Sequence, residues 1–198
     1  VKVGVLALQG DVREHILALN ECGATAQAVK TREEISAIDA LVIPGGESTT
    51  ISKLSRSFNL FDLIAERIAN GMPTYGSCAG LILLANKVED AIVGQESFGG
   101  LDVVARRNAF GRQVDSFETD LEIKGISSPK FRAIFIRAPW IESVGPQVEV
   151  LAQIEGHAVA VRESHILATS FHPELTGDNR IHRYFLDVVC KDVAKVNA

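Results

Sequence analysis

Apolar residues follow two rhythms along this chain. Val1 to Leu8 is apolar at nearly every position and rich in β-branched residues, which predicts a strand covered on both faces, as in a parallel sheet. Gln9-Gly10-Asp11 breaks that run, with Asp11 placed to cap a helix. Val12 to Cys22 then has a helical period: Val12, Ile16 and Leu19 share one face, and Gly23 supplies the stop. Ala24 to Val29 predicts a second strand, Thr31 to Ile38 a short polar helical turn or loop, and Ala40 to Ile43 a third strand. Leu60 to Asn70 is amphipathic, with Leu60, Ile64 and Ile68 in line and Gly71 ending it. A strand near Met72–Ser77 follows. The run from Ala79 to Asn86 is almost wholly apolar and predicts a buried helix.

The texture changes after that. Leu101 to Arg106, Ser116 to Ile123, Phe131 to Ile136, Val148 to Ile154, Ala158 to Val161 and Ile166 to Ser170 are short strand candidates with few helical spacers. They predict hairpins or an antiparallel extension, the last strand returning to the main sheet. Gly100-Leu101 and Ser128-Pro129 mark connections rather than domain linkers. Asn179 to Val196 closes the chain as a helix with Ile181, Phe185, Val188 and Val189 as its apolar stripe and Asp178 as a cap. Together these elements predict an α/β fold: a doubly wound, mostly parallel central sheet with helices on both faces and an antiparallel extension in the second half. The length of 198 residues fits a single domain, 1–198, with a sizeable core.

Charge and composition narrow the function. A net charge of −5, with no Lys/Arg run longer than two, argues against a nucleic-acid surface. The longest apolar runs fall far below membrane length, and the first residues lack a signal pattern. Cys22, Cys78 and Cys190 are odd in number and far apart, so they form neither a disulfide framework nor a metal-type pair. A cytoplasmic protein is expected, with no metal and no cofactor.

The chemistry concentrates at three places. Gly76-Ser77-Cys78-Ala79-Gly80 stands between a strand and a helix and has the G-x-S-x-G form of a nucleophile elbow, with Cys in place of Ser. The helix start favours the thiolate of Cys78, and the Ala79 N–H points where an oxyanion would form. Pro44-Gly45-Gly46-Glu47-Ser48-Thr49-Thr50 follows the third strand, at the sheet end where α/β proteins carry their active loops. It reads either as a second oxyanion-hole strand, Gly45 and Gly46, with a substrate contact, or as an ordinary turn capped by Ser48 or Thr49. His172-Pro173-Glu174 ends another strand. In extended backbone its imidazole and carboxylate share one side, so Glu174 can orient His172 as the base for Cys78. The other reading is a surface turn. The remaining histidines, His15, His157, His165 and His182, lack metal spacing and are expected at the surface or on helix faces; Cys22 and Cys190 are expected as core or semi-buried thiols, and Trp140 as packing or as part of a partner face.

These three motifs together resemble the class I, triad-type glutamine amidotransferases, whose fold is flavodoxin-like. Leu8-Gln9-Gly10, Val12-Arg13-Glu14-His15, the Pro44–Thr50 run, Arg107-Asn108-Ala109-Phe110-Gly111-Arg112-Gln113-Val114-Asp115-Ser116-Phe117-Glu118, Phe135-Ile136-Arg137-Ala138-Pro139 and Ser170-Phe171-His172-Pro173-Glu174-Leu175-Thr176 resemble, more closely, the glutaminase subunits of pyridoxal 5'-phosphate synthases. The likeness runs from about Val3 to the final helix and is weakest near Lys87–Phe98. It implies hydrolysis of L-glutamine to glutamate and ammonia by Cys78, His172 and Glu174, with ammonia passed to a separate synthase subunit. It implies an oxyanion hole at Gly45, Gly46 and Ala79, substrate contacts at Gly46, Glu47, Ser48, Arg107, Ile136 and Arg137, and a synthase-facing surface around Gln9-Gly10. An Arg suits the α-carboxylate of the substrate and an acidic group its α-ammonium. A glutaminase subunit feeding a different synthase, or a non-catalytic binding subunit of the same fold, remains the alternative.

Overall fold

The computed structural model describes residues 1–110 and 116–192. Strands β1 (Lys2–Leu6), β2 (Thr25–Val29), β3 (Ala40–Ile43) and β4 (Thr74–Ser77) alternate with helices α1 (Val12–Glu21), α2 (Arg32–Ser36), α3 (Ser48–Ser57), α4 (Phe61–Ala69) and α5 (Ala79–Leu84). Then follow β5 (Ala85–Glu89), β6 (Leu101–Arg106), β7 (Ser116–Leu121), β8 (Phe131–Ile136), β9 (Trp140–Val144), β10 (Glu149–Ile154), β11 (His157–Glu163) and β12 (Ile166–Thr169). Helix α6 (Arg180–Tyr184) continues as a π-helical segment, Phe185–Cys190.

The main sheet runs β2-β1-β3-β4-β12-β11-β9-β6-β5, with β10 added against β11. Its first five strands are parallel; β11, β9 and β6 then pair antiparallel, and β5 closes the far edge parallel to β6. The parallel half with an antiparallel extension, and the return of the last strand beside β4, are as the sequence predicts. Strands β7 and β8 form a hairpin of their own off the main sheet.

Each central strand feeds two cores. In β3, Ala40 and Val42 face one apolar cluster while Leu41 and Ile43 face the other. In β1, Val3 and Val5 point to the first and Leu6 to the second. Period-two side chains with both faces covered are what a wholly apolar strand requires. Helices α2 to α5 cover one face through Ile35, Ile51, Ile64, Ile68 and Leu83. Leu19 of α1, Ile181 of α6, Phe185 and the β7–β8 hairpin cover the other. Helix α2 starts on a complete capping box, in which Thr31 and Glu34 satisfy each other's backbone N–H groups.

Four expectations need correction. The helix after Cys78 ends at Leu84, because the chain turns extended at Ala85 and enters β5, whose Asn86 and Lys87 are exposed. Strands β5 and β9 and helix α3 escaped the pattern. Helix α3 buries Ser48, Ser52 and Ser55 beside Ile51, so its inner face is polar by composition though small enough to pack. Its N-cap is Glu47, with neither Ser48 nor Thr49 in that position. The last helix bulges into π geometry after Tyr184, and its expected end, 193–196, lies outside the described residues, as do Gly111 to Asp115 of the long motif. No helix among the described residues is long and apolar enough to cross a membrane.

The hairpin is tied to the sheet by aromatic rings. Phe135 stacks on Phe117 with centroids 4.6 Å apart and lies 5.5 Å from both Phe110 and Phe171. Phe171 stands one residue before His172, so the hairpin buttresses the segment that carries the imidazole. Replacing Phe135 by Ala should cost about 3–5 kcal/mol, as for a large buried ring whose site cannot fully collapse. Urea denaturation of the variant checks this.

Candidate active site

The turn from β4 to α5 holds Cys78 at φ +50°, ψ −99°, a sparsely populated conformation for a residue with a Cβ. The strain is held on both sides: Cys78 N–H donates to Thr169 O on β12 at 2.8 Å, and Ile82 N–H donates to Cys78 O at 3.3 Å. The flanking glycines are needed for closeness. A Cβ on Gly80 would run into the carbonyl oxygen of Ile43, and one on Gly76 into the Gly80 carbonyl group. The elbow forms where the motif predicts.

His172 is brought to the sulfur by a different local geometry from the one expected. Strand β12 ends at Thr169, and Pro173–Leu175 is a 3-10 turn, so His172 and Glu174 meet around a turn and not along a strand. The fixed φ of Pro173 suits the first position of that turn. His172 N–H donates to Ile134 O of the hairpin at 2.9 Å. His172 Nδ1 lies 2.7 Å from Glu174 Oε1 and 3.4 Å from Asp11 Oδ2. With Nδ1 facing two carboxylates, Nε2 is the nitrogen left for Cys78, whose Sγ lies 3.8 Å from Ile136 O of the hairpin. Cys78, His172 and Glu174 are all buried.

Electrostatics favour the charged imidazole. Burial alone would lower the His172 pKa, but hydrogen bonds to Asp11, Cys78 and Glu174 outweigh it and push the value up to about 12. Burial likewise opposes ionisation of Glu174, yet its interactions with His15, and then with His172, hold it below the usual carboxylate range.

A cavity of about 420 Å³ opens above the sulfur. Its walls include Gly46, Glu47, Ser48, Cys78, Ala79, Arg107, Ile136, Arg137 and His172, so residues that the sequence singled out from five separate stretches share one hollow. Gly45 lies just behind, where a Cβ would strike the His172 ring. Cys78, Asn108 and Arg137 all have positive φ and all line this cavity, the clustering of backbone strain expected where a site fixes its groups.

Sequence reasoning missed several residues here. Gln95 lies in the stretch of weakest resemblance, yet it ties two walls together: Arg107 Nη1 donates to Gln95 Oε1 at 3.1 Å, and Gln95 Nε2 donates to Ser48 Oγ at 3.0 Å. Gln9 Oε1 accepts from Glu47 N–H at 2.7 Å, and Asp11 N–H donates to Gly45 O at 3.0 Å. The loop after β1 thus grips the Gly45–Glu47 loop, and Gly10 (φ +106°) is the residue that lets them touch. Asp11 sits at the expected N-cap, but its side chain makes no cap bond and turns to His172. His15 and His182 are corrections: both are fully buried and hydrogen-bonded to each other, because α1 and α6 cross under the turn that carries Glu174. Their signal in the sequence was only one His on each amphipathic helix. Cys190 is buried and Cys22 half-buried, as expected of core thiols, and Trp140 packs flat on His157 at 3.7 Å. Asp11, His172 and Glu174 bring ligand-type atoms within 4.8 Å of one another, a closeness that the hydrogen bonds of the imidazole already explain.

A curled, mostly parallel sheet that carries a strained thiol and a carboxylate-backed imidazole at its strand ends is the architecture of the class I glutamine amidotransferases. A solved glutamine amidotransferase superposes with a TM-score of 0.88 at 48% identity, covering 94% of this chain and 98% of that one. A putative GMP synthase subunit from Thermoplasma acidophilum has the same fold at a TM-score of 0.66 and 16% identity, over 100% of this chain and 96% of that one. The chain belongs to the SNO glutamine amidotransferase family, whose sequence profile matches residues 5–191. Among similar proteins, the pyridoxal 5'-phosphate synthase subunit PdxT of Mycolicibacterium vanbaalenii is 59% identical over 188 residues, 93% of this chain and 96% of that protein. PdxT of Kineococcus radiotolerans is 57% identical over 199 residues, 97% and 96% of the two chains.

The raised pKa of His172 has a measurable consequence. A group whose folded value exceeds its unfolded value stabilises the fold fully below the unfolded value, about 6.5 for His, and loses that contribution as pH rises toward the folded one. The stability advantage of the wild type over His172→Asn should therefore shrink between about pH 6 and pH 10. Urea denaturation of both across that range checks the sign.

Proposed function

We propose that this chain is the glutaminase subunit of a pyridoxal 5'-phosphate synthase: it hydrolyses L-glutamine to L-glutamate and ammonia and delivers the ammonia to a synthase subunit. Residues 1–198 act as one glutaminase domain. The observation that carries this reading is the buried, strained Cys78 facing an imidazole whose far nitrogen is held at 2.7 Å by a buried carboxylate. The PdxT relatives supply the particular pathway.

The steps follow from the geometry. His172 takes the thiol proton on Nε2, and the Cys78 thiolate attacks the side-chain amide carbon of glutamine, forming a C–S bond. The carbonyl electron pair moves to oxygen, and N–H groups of Ala79 and of the Gly45–Gly46 segment receive the oxyanion. The imidazolium gives its proton to the amide nitrogen as the C–N bond breaks, and ammonia leaves. Water, deprotonated by His172, attacks the thioester; the C–S bond breaks, glutamate departs and the proton returns to sulfur. Glu174 orients His172 and stabilises its charged form throughout. These residues and water supply every proton and electron pair. Arg107 receives the α-carboxylate of the substrate and Glu47 its α-ammonium, while Gly46, Ser48, Ile136 and Arg137 complete the walls.

The partner surface lies at the cavity mouth. Ile136 and Leu175 are apolar, exposed and on its rim. The loop Gln9-Gly10-Asp11 lies on the same side and holds Gly45 O by the Asp11 N–H. A synthase subunit seated there can release that bond and let the Gly45–Gly46 peptide turn its N–H toward the oxyanion. Three free cysteines fit work in the reducing cytoplasm.

Cys78→Ala should abolish ammonia release from glutamine and leave the fold intact by circular dichroism. A thiol-alkylating glutamine analogue should label Cys78 stoichiometrically; retained turnover in the variant, or labelling confined to Cys22 or Cys190, would overturn the mechanism. Glutamine turnover should rise severalfold when the synthase subunit is added, and equal rates with and without it would reject the proposed peptide switch.

A further inference from the structure

Behind the Cys78–His172–Glu174 line the chain buries a second row of polar groups. His15 Nδ1 is 2.9 Å from His182 Nε2. His15 Nε2 is 3.1 Å from Ser77 Oγ and 3.5 Å from Glu174 Oε2. Ser77 Oγ is 3.4 Å from Glu174 Oε1. His15, His182 and Ser77 are each 0% exposed. Two buried atoms of this row make no hydrogen bond: Oε2 of Glu174 and Nδ1 of His182.

Hydrogen-bond accounting fixes the tautomers of this row. A single proton occupies the contact between the two imidazoles when both are neutral. Were it on His15 Nδ1, the unpartnered Nδ1 of His182 would be a buried N–H donor. His15 Nε2 would then turn a lone pair toward the bare oxygen of Glu174. Placed on His182 Nε2, it leaves His182 Nδ1 as an unpaired acceptor, the less costly orphan. His15 Nε2 then carries the N–H that faces Ser77 and Glu174. Every donor in the row points toward the carboxylate. Burial also lowers the His182 pKa to about 3, so that ring stays neutral.

We propose that His15 is a positioning residue of the reaction: with its tautomer set by His182, it presents Nε2–H to the far side of Glu174 and holds that carboxylate in the orientation that accepts His172 Nδ1–H. The proposal rests on the glutaminase reading above and extends it to a residue that touches neither substrate nor sulfur. Loss of the His15 N–H leaves Glu174 buried with fewer donors. Its anionic form is then worse supported, and so is the imidazolium of His172. The charged thiolate–imidazolium pair should form over a narrower pH range. The other titratable groups facing this row are Tyr75, whose ring meets His15 edge-on at 5.9 Å, and Asp11 and Cys78 beyond His172. None of these replaces the N–H that His15 supplies.

The test uses the full chain, with its synthase subunit present for turnover and alone for labelling. His15→Ala should lower kcat about tenfold or more, a part of the roughly 10²–10⁴ that acid–base catalysis supplies, with KM for glutamine changed much less. The acid limb of the iodoacetamide reaction at Cys78, located by mass spectrometry, should move up by about half a pH unit or more. His15→Gln keeps an N–H near the Nε2 position and should recover most of both. A folded His15→Ala with wild-type kcat and an unshifted acid limb would overturn the proposal. So would a His15→Gln variant as impaired as His15→Ala with neither acid limb displaced, since that outcome marks packing alone. Wild-type turnover measured in the same series separates this from the parent reading: an inactive wild type rejects the glutaminase, whatever the variants do.

Discussion

A carboxylate taken out of water must be answered by donors, and much of this fold is arranged to answer Glu174. A buried ion without partners costs several kcal/mol, a large share of the net stability of a domain. Glu174 sits on a short 3-10 turn, beneath the ends of β4 and β12, and receives His172 from its own turn, Ser77 from β4 and His15 from α1. The far helix, α6, reaches in only through His182. Its own turn, β4 and α1 therefore converge on one pair of oxygens, with α6 packed behind through the second imidazole. This convergence explains why α1 and α6 each bury an imidazole on a face that is otherwise aliphatic and aromatic.

The second constraint is steric and acts on the other side of the sulfur. Three loops at the strand ends approach closer than side chains would allow: the one after β1, the one after β3 and the elbow itself. Gly10, Gly76 and Gly80 stand at the contacts. Their closeness puts Gly45 against the His172 ring and the Gly45 carbonyl on the Asp11 N–H. The loops are consequently one packed unit, and a change felt at Gln9 or Asp11 reaches the Gly45–Gly46 segment without passing through the core.

Much of this was legible in the sequence, and the reason is local. A short wholly apolar run bounded by turn residues, such as Ala40–Ile43, reads as a strand buried on both faces, and Gly76-Ser77-Cys78-Ala79-Gly80 encodes its turn in five residues. The strands Leu101–Arg106 and Phe131–Ile136 alternate cleanly and match their expected bounds to the residue. What stayed hidden depends on tertiary neighbours. Helix α3 buries serines, β5 exposes Asn86 and Lys87, and β9 runs Trp140-Ile141-Glu142-Ser143-Val144 with three exposed positions, so none has an apolar period to read. The burial of His15 and His182 follows from a helix crossing that no single helix specifies. Gln95 matters only because Arg107 and Ser48 lie on either side of it.

One further property follows from the stacking of Trp140. It is the sole tryptophan of the chain, lies flat on His157 and meets Phe110 edge-on at 5.3 Å, three residues beyond Arg107. The protein therefore contains a native fluorophore beside the cavity wall that carries Arg107. Rearrangement of that wall would alter its emission, so occupancy can be followed optically in unlabelled material.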